Sequence, residues 1–138
     1  MTKTLEGRMK GDIVSWEFDE TRPLFQQIVE AITKDIVSGR YEPGDKIPSV
    51  REFAIEAGVN PNTMQKALSA LEDSGLIVTM RNSGRRVTDD TSLIAKVRRR
   101  SAVSAAESYI QFAKASGLSL EEAIEILKEV GKDGEHNL

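Results

Sequence analysis

The chain has 138 residues, 39% hydrophobic and 30% charged, with a formal net charge of −3, which is typical of a soluble globular protein. It contains no cysteine, which excludes disulfides, thiolate zinc sites and cysteine nucleophiles. No apolar run approaches the ~20 residues of a membrane span, and the N-terminus lacks a signal-peptide core, so we expect a cytoplasmic protein without a membrane partner.

The first elements in chain order are a short strand and a helix. Residues 1–12 are polar and are expected to be flexible. Apolar and polar residues alternate over 13–18, which is typical of a strand, and we expect this strand to pair with an edge of the hairpin described below. We expect Trp16 within it to be a packing residue. A helix is predicted from Pro23 to about Val37.

The segment that follows predicts a helix, a tight turn and a second helix. Ser49 and Glu52 form a capping box at the start of the first helix. Gly58 can take the left-handed conformation that ends it. Asn60 is a preferred N-cap for the second helix, which spans 61–73 and carries proline at its first position.

A hairpin is predicted directly after the second helix. Residues 76–87 fold back on themselves around the turn at 82–84. Helix, turn, helix and hairpin together predict a winged helix-turn-helix, which commonly places its second helix in the major groove of DNA. The alternative is an ordinary helical hairpin within another α-rich fold.

The charge balance of this segment does not by itself favour nucleic acid. Residues 23–90 hold eight Lys and Arg against ten Asp and Glu. However, the basic residues Arg81, Arg85 and Arg86 gather at the hairpin, and Lys66 lies early in the second helix. We therefore expect a local basic face on an acidic protein, with modest non-specific affinity for DNA.

Two further helices are predicted after the hairpin. The first runs from Ser92 to about Ser116, and the second, with a capping box at Ser119 and Glu122, runs to Val130. The predicted fold class is mainly α, with a small β wing. Its organisation is a flexible N-terminus over 1–12, a winged helix-turn-helix over 13–90, a helical dimerisation element over 91–131 and a flexible tail over 132–138.

The C-terminal helices are too short to form a core of their own. Their apolar faces must cover either the first domain or a second copy, and we favour a homodimer, which would present two reading helices to a palindromic site. The residues expected in the dimer contact are Val97, Ala102, Ala106, Tyr109, Ile110, Ala113, Leu120, Ile124 and Leu127.

Several motifs together resemble the GntR family of bacterial transcription regulators. They are Pro23-Leu-Phe-Gln-Gln-Ile28, Pro43-Gly-Asp-Lys-Ile-Pro-Ser-Val-Arg-Glu-Phe-Ala54, Gly58-Val-Asn-Pro-Asn-Thr-Met-Gln-Lys-Ala-Leu68 and Leu71-Glu-Asp-Ser-Gly-Leu-Ile77. The short C-terminus is similar to the YtrA-type subfamily. This resemblance implies a homodimeric repressor, of a kind often encoded beside ABC-transporter operons.

The resemblance also implies DNA contacts at matching positions. Arg51 matches an arginine placed against phosphate or a base, the start of the second helix matches the reading surface, and the hairpin tip matches a wing in the minor groove. Independently, the Gln65 amide suits bidentate pairing with adenine. The candidate DNA-binding residues are Arg51, Asn60, Pro61, Asn62, Thr63, Gln65, Lys66, Arg81, Asn82, Ser83, Gly84 and Arg85.

The hairpin departs from the family pattern. The usual wing reads Arg-Gly-x-Gly and then Thr-Phe/Tyr-Val, whereas this chain has Arg81-Asn-Ser-Gly84 and then Arg85-Arg86-Val87. Asn82 can take a left-handed conformation, so we expect the turn to survive. The two arginines leave the packing of the second strand open. We expect Arg85→Ala to weaken DNA binding evenly and to flatten its salt dependence.

Other functions remain as alternatives with fewer signals. Winged helices also serve as protein-interaction adaptors, and the acidic balance permits this. An enzyme is disfavoured, because the sequence has no nucleophile–base pair, phosphate-binding loop or metal-ligand spacing, and no cofactor or metal is expected. A small-molecule effector between the C-terminal helices is a further hypothesis, since small residues at 102, 105 and 106 leave space near Tyr109.

Overall fold

The computed structural model describes residues 16–136 and confirms a mainly helical fold with a small two-stranded sheet. The chain divides into two compact units between Arg98 and Arg99, within the fourth helix. In chain order the elements are α1 (Leu24–Val37), α2 (Val50–Ala57), α3 (Pro61–Asp73), β1 (Ile77–Met80), β2 (Gly84–Val87), α4 (Thr91–Ala115) and α5 (Leu120–His136).

The helix boundaries in the first unit follow the predicted local signals. The Ser49 hydroxyl accepts from the Glu52 amide at 3.1 Å, and the Glu52 carboxylate accepts from the Ser49 amide at 3.1 Å, which completes the capping box. Gly58 has a φ of 71° and ends α2. The Asn60 side chain accepts from the Asn62 amide at 2.7 Å, which caps α3. The helix-turn-helix is therefore fixed by the cap chemistry that its sequence predicts.

The core of the first unit lies between α1, α2 and α3. The apolar stripes of these helices meet there, and the start of the sheet and the first turns of α4 add to it through Ile77 and Ile94. Because burial of each large aliphatic or aromatic side chain contributes about 1.5–3 kcal/mol, this cluster sets the helix positions. Its fully enclosed members include Ile28, Ile32, Tyr41, Phe53, Met64, Ala67 and Leu68.

The N-terminal strand is a prediction that the structure corrects. Residues 16–18 are not in a strand, and 13–15, like the expected flexible segment 1–12, lie outside the described residues. The buried Gln27 side chain holds Asp19 instead, accepting from its amide at 2.7 Å and donating to its carbonyl oxygen at 2.6 Å. Trp16 is a packing residue, as expected, with its ring edge-on to Phe53 at 5.7 Å.

The connector between α1 and α2 occupies the outer edge of β2, one of the two hairpin edges open to the predicted N-terminal strand. The Ile47 amide donates to the Arg85 carbonyl oxygen at 3.0 Å, and the Gly44 amide donates to the Val87 carbonyl oxygen at 3.0 Å. Lys46 forms an antiparallel bridge with Arg86. The buried Ile47 side chain anchors this pairing. The prolines and glycine of the connector indicated turns and gave no sign of it.

The second unit contains the distal part of α4 and all of α5. The Tyr109 hydroxyl donates to the Ala123 carbonyl oxygen at 2.8 Å, and Ala113 and Ala123 are buried. The predicted capping box is confirmed, because Ser119 and Glu122 exchange both of its hydrogen bonds. The predicted end of this helix at Val130 is wrong.

The helix α5 passes through both of its glycines and continues to His136. Gly131 does not adopt the positive φ that would end a helix. Glycine in a helix interior costs about 1 kcal/mol relative to alanine but does not forbid helical geometry. The expected flexible tail is therefore helical as far as His136.

Candidate nucleic-acid interface

One face of α3 is exposed and polar. Met64 and Leu68 turn into the core, whereas Asn62 and Gln65 lie on the surface. The Gln65 amide group donates to the Ser69 hydroxyl at 3.1 Å, one helical turn further along. Asn62, Gln65 and Ser69 share a face by helical periodicity, so they form a short row of donors and acceptors. The sequence prediction missed Ser69, although its spacing from Gln65 is the signal that could have indicated it.

Lys66 lies on a neighbouring part of the same helix and faces α1. Its ammonium nitrogen is 4.1 Å from the centre of the Phe25 ring. A cation above an aromatic face is attracted by the ring quadrupole, which restricts the lysine without neutralising it. The charge of Lys66 therefore sits at the junction of α1 and α3, where it suits a phosphate better than a base edge. Phe25 was not among the predicted site residues.

A crevice separates the start of α2 from the sheet. Its volume is about 420 Å³, and its lining includes the cationic residues Arg51, Lys46 and Arg85. The only carboxylate in the lining is that of Glu52, whose pKa is lowered by its hydrogen bonds to the Ser49 backbone and side chain. Cationic side chains at a helix N-terminus favour anions. The crevice is a candidate site for a DNA phosphate.

The hairpin tip has the geometry expected from its sequence. Asn82 has a φ of 69°, which confirms the predicted left-handed turn, and Gly84 follows with a φ of 77°. The Ser83 amide donates to the Met80 carbonyl oxygen at 3.2 Å, which closes the turn. Arg81 and Asn82 are exposed at the tip, and Ser83 is half-buried. The tip is therefore a hydrogen-bonded turn that carries the exposed Arg81.

The two adjacent arginines of β2 point in opposite directions. The Arg85 Nε donates to Glu72 Oε1 at 2.7 Å, and 20% of the Arg85 side chain is exposed. Arg86 is exposed on the other face of the sheet, where it is paired with Val78 and bridged to Lys46. Arg85, a predicted DNA contact, is therefore engaged within the protein. Arg86 and Lys46, which were not in the predicted set, present their charge outward.

Glu72 receives a second hydrogen bond from the other strand of the sheet. The Thr79 hydroxyl donates to Oε2 of the same carboxylate. The hydrogen bond from Thr79 and the one from Arg85 lower the pKa of Glu72 below its usual value. Both oxygens of this carboxylate are thus committed to the two strands that follow α3.

The residues expected in the dimer contact fall into two groups. Val97 packs against the core of the first unit, and in the second unit Ala113 is buried and Tyr109 is half-buried. The others are exposed, namely Ala102, Ala106, Ile110, Leu120, Ile124 and Leu127. Val103, Phe112 and Val130 are also exposed apolar side chains of this unit, which the prediction left out.

Neither a cluster of metal-ligating side chains nor a membrane-spanning helix is found among the described residues. Over residues 16–136 no three His, Cys, Asp or Glu side chains gather as metal ligands. Within the same range, every helix is too short or too polar to cross a bilayer.

Comparison with known proteins places these residues among transcription regulators. The family model described as "Bacterial regulatory proteins, gntR family" matches residues 24–87, which cover α1 to β2. The chain is 32% identical to the HTH-type transcriptional regulator YhcF of Bacillus subtilis over 86% of its own length and 98% of that protein. It is also 32% identical to the HTH-type transcriptional repressor YtrA of the same organism, over 80% of this chain and 86% of that one.

Solved structures give the same result. A GntR family transcriptional regulator from Listeria monocytogenes is 38% identical, with a TM-score of 0.78, over 81% of this chain and 98% of that chain. A transcriptional regulator from Oenococcus oeni is 26% identical, with a TM-score of 0.70, over 83% of this chain and 95% of that chain. The similarity extends beyond the matched family model into the C-terminal helices.

Proposed function

Since this chain belongs to the GntR family of bacterial regulatory proteins and is a transcriptional regulator with a DNA-binding domain, we propose that it acts as a homodimeric repressor. Regulators of this family bind DNA and are not enzymes. One observation carries the proposal above the others. The polar row on α3, in which Asn62 and Gln65 are exposed, is followed by a hairpin that carries the exposed Arg81 and Arg86.

The row on α3 supplies the base contacts in this proposal. Gln65 can pair bidentately with adenine, and its hydrogen bond to Ser69 fixes the amide before DNA arrives. Asn62, one turn earlier, can donate and accept at the next base pair. Pro61 lacks a polar side chain and an amide hydrogen, so the first position of the helix contributes shape alone.

Basic side chains around this row supply the phosphate contacts. Lys66 stands at one side of α3, Arg51 stands at the start of α2, and Arg81 stands at the hairpin tip. Each phosphate neutralised by such a cation releases counterions, which gives affinity and a salt dependence without sequence preference. The hairpin tip would lie in the minor groove, where a narrow groove favours arginine.

A second copy of the chain is the proposed partner of the C-terminal helices. Exposed Leu120, Ile124 and Leu127 recur at the helical spacing that puts apolar side chains on one face of α5. Such a face on a soluble protein calls for a covering surface. Two-fold pairing would place two reading helices about 10 bp apart on a palindromic operator.

Repression of an operon is proposed from the relatives. The similar protein YtrA is named a transcriptional repressor. We also propose that the protein works in the cytoplasm, where its operator DNA is accessible. Control of an ABC-transporter operon remains a prediction from the family resemblance.

A small-molecule effector also remains a prediction. In the second unit, the crevice lined by Ile110, Leu118 and Ala123 measures about 20 Å³, which is room for about one water molecule. An effector of metabolite size between the C-terminal helices would therefore need a site that the second copy helps to form.

Transcription in vitro tests the repressor proposal. The template carries a promoter that overlaps an operator selected by the protein itself, and a second template carries the same promoter with a scrambled operator. We expect added protein to reduce transcripts from the first template only. An increase in transcripts would show that the protein is an activator. An equal effect on both templates would show that the operator is not responsible for the effect.

A further inference from the structure

We propose that Glu72 is a positioning residue that locks the hairpin against the recognition helix α3, and that Arg85 serves this lock and does not contact DNA. The inference rests on the proposed DNA-binding mode and adds to it how the two DNA-contacting elements are held at a fixed angle. It concerns a residue outside the predicted contact set and changes the role of one inside that set.

The geometry brings three elements to one carboxylate. Glu72 lies in the last turn of α3, Thr79 lies on β1 and Arg85 lies on β2. Thr79 and Arg85 are direct cross-strand partners, so their side chains share one face of the sheet. One oxygen of Glu72 accepts from each of them. A single side chain therefore ties the helix to both strands.

Little apolar contact supports the outer part of the hairpin. In β1 only Ile77 is buried, and the next three residues are exposed. Val78 and Met80 are 38% and 40% exposed on the face opposite to Thr79. Backbone pairing with the connector fixes β2 to residues 44–47, but it does not join the hairpin to α3. The Glu72 carboxylate provides a polar link between the hairpin and α3.

The negative charge of Glu72 makes the direction of the change in DNA affinity a test of the proposal. Glu72 is an acidic residue close to a DNA-binding surface, so its neutralisation should strengthen DNA binding if it acts only as a charge. If it positions the hairpin, neutralisation should weaken binding, because the wing loses its angle to α3. If Arg85 were a phosphate contact held back by Glu72, its release would steepen the salt dependence.

The experiment measures operator affinity and its salt dependence for Glu72→Gln, Arg85→Gln and the double variant. We expect each single variant to bind about tenfold more weakly, which corresponds to the loss of one charge-assisted hydrogen bond. We expect the double variant to be no worse than either single one, because all three remove the same link. The slope of log affinity against log salt concentration (the salt slope) should be unchanged in these variants, whereas Arg81→Gln, at a proposed phosphate contact, should lower its magnitude by about 0.9.

Footprinting separates the lock from the proposed function. Minor-groove protection by the wild-type protein reports the proposed wing contact. Loss of that protection in Glu72→Gln, with major-groove protection retained, reports the lock. Thr79→Val keeps the side-chain shape and removes the second hydrogen bond only, so it should give a smaller loss and covers the case that Glu72→Gln does not fold. Tighter binding by Glu72→Gln, or a lower salt slope for Arg85→Gln, would overturn the proposal.

Discussion

The ammonium of Lys66 on α3 sits 4.1 Å from the ring centre of Phe25 on α1. This contact links the charge of Lys66 on the recognition helix to an aromatic side chain of α1. A lysine on a flexible stem pays side-chain entropy when it binds a phosphate, and the ring reduces the number of rotamers that remain to be lost. We therefore propose that Phe25 restricts Lys66 before it binds a DNA phosphate.

Phe25→Leu tests this preparation. We expect operator affinity to fall about threefold, in line with the ~0.5–1 kcal/mol of an exposed cation–π contact, while the salt slope stays that of the wild type. Lys66→Ala should lower the slope by about 0.9, because it removes the phosphate contact itself. Fluorescence anisotropy over a salt series measures both quantities. An equal loss of slope in Phe25→Leu and Lys66→Ala would contradict the separation of roles.

Gln65→Ala tests base reading. The variant should lose about 1–3 kcal/mol of operator affinity and relax the base preference at one position of each half-site. Gln111→Ala, at an exposed glutamine of α4, is the control and should leave the preference unchanged. Binding to all single-base variants of the operator gives the result. An intact preference in Gln65→Ala would move base reading to another side chain of α3.

Arg81→Gln tests the exposed hairpin tip. We expect weaker binding to every sequence and a salt slope lowered by about 0.9, since Arg81 would contact phosphate or the minor groove. The matched control is Arg85→Gln, on β2, where the arginine is directed towards Glu72 of α3. The control should weaken binding without a change in slope. Reversed slopes for the two variants would contradict the assignment of outward and inward arginines.

The stability contribution of Glu72 should depend on pH. Its pKa is lowered by Thr79 and Arg85, so the stabilisation is complete above the unfolded-state pKa of about 4.3 and disappears as the pH falls through the lower folded value. We expect wild type to exceed Glu72→Gln by about 1 kcal/mol in unfolding free energy at neutral pH. The difference should shrink as the pH falls below that unfolded-state value and vanish once the pH lies below the folded-state pKa of Glu72.

Urea unfolding of both proteins across this pH range measures that difference. Asp73→Asn removes a negative charge from the same helical turn and is the matched control. A difference between wild type and Glu72→Gln that persists at the lowest pH would show that the lost contact is not ionic.

Ile124→Glu with Leu127→Glu tests the proposed dimer. Both side chains are exposed in the single chain, at 42% and 54%, so the change should leave α5 folded and disrupt only pairing. Sedimentation equilibrium should give the mass of two chains for wild type and one for the variant. Ile55→Glu changes an isoleucine that is 75% exposed on α2 and should remain dimeric. A single-chain mass for wild type would contradict the dimer.

Local signals in the sequence account for most of the fold. Three helix boundaries depend on contacts within a few residues. The Ser49–Glu52 capping box and Asn60 cap the starts of α2 and α3, and Gly58 ends α2. These roles can therefore be inferred from spacing alone. Gly131 shows the limit of this reasoning. Glycine permits a helix end but does not impose one, and the following residues continue α5.

Long-range pairing accounts for what the sequence did not reveal. Lys46 and Arg86 are 40 positions apart and meet only because the connector pairs with β2. Residues 13–18 had the alternation of a strand, but one of the two hairpin edges, that of β2, is occupied by the connector. The opposite directions of Arg85 and Arg86 follow from strand alternation, but which of them faces α3 depends on the register with β1.

Selection from random DNA duplexes tests the central claim. This claim is that a homodimer binds a palindromic operator, with α3 and the hairpin of each copy contacting one half-site. The full-length protein is incubated with the pool at two salt concentrations, and the bound duplexes are sequenced. We expect an enriched inverted repeat, with half-site centres about 10 bp apart, whose recovery falls steeply at the higher salt. Recovery without sequence enrichment and without salt dependence would contradict the claim.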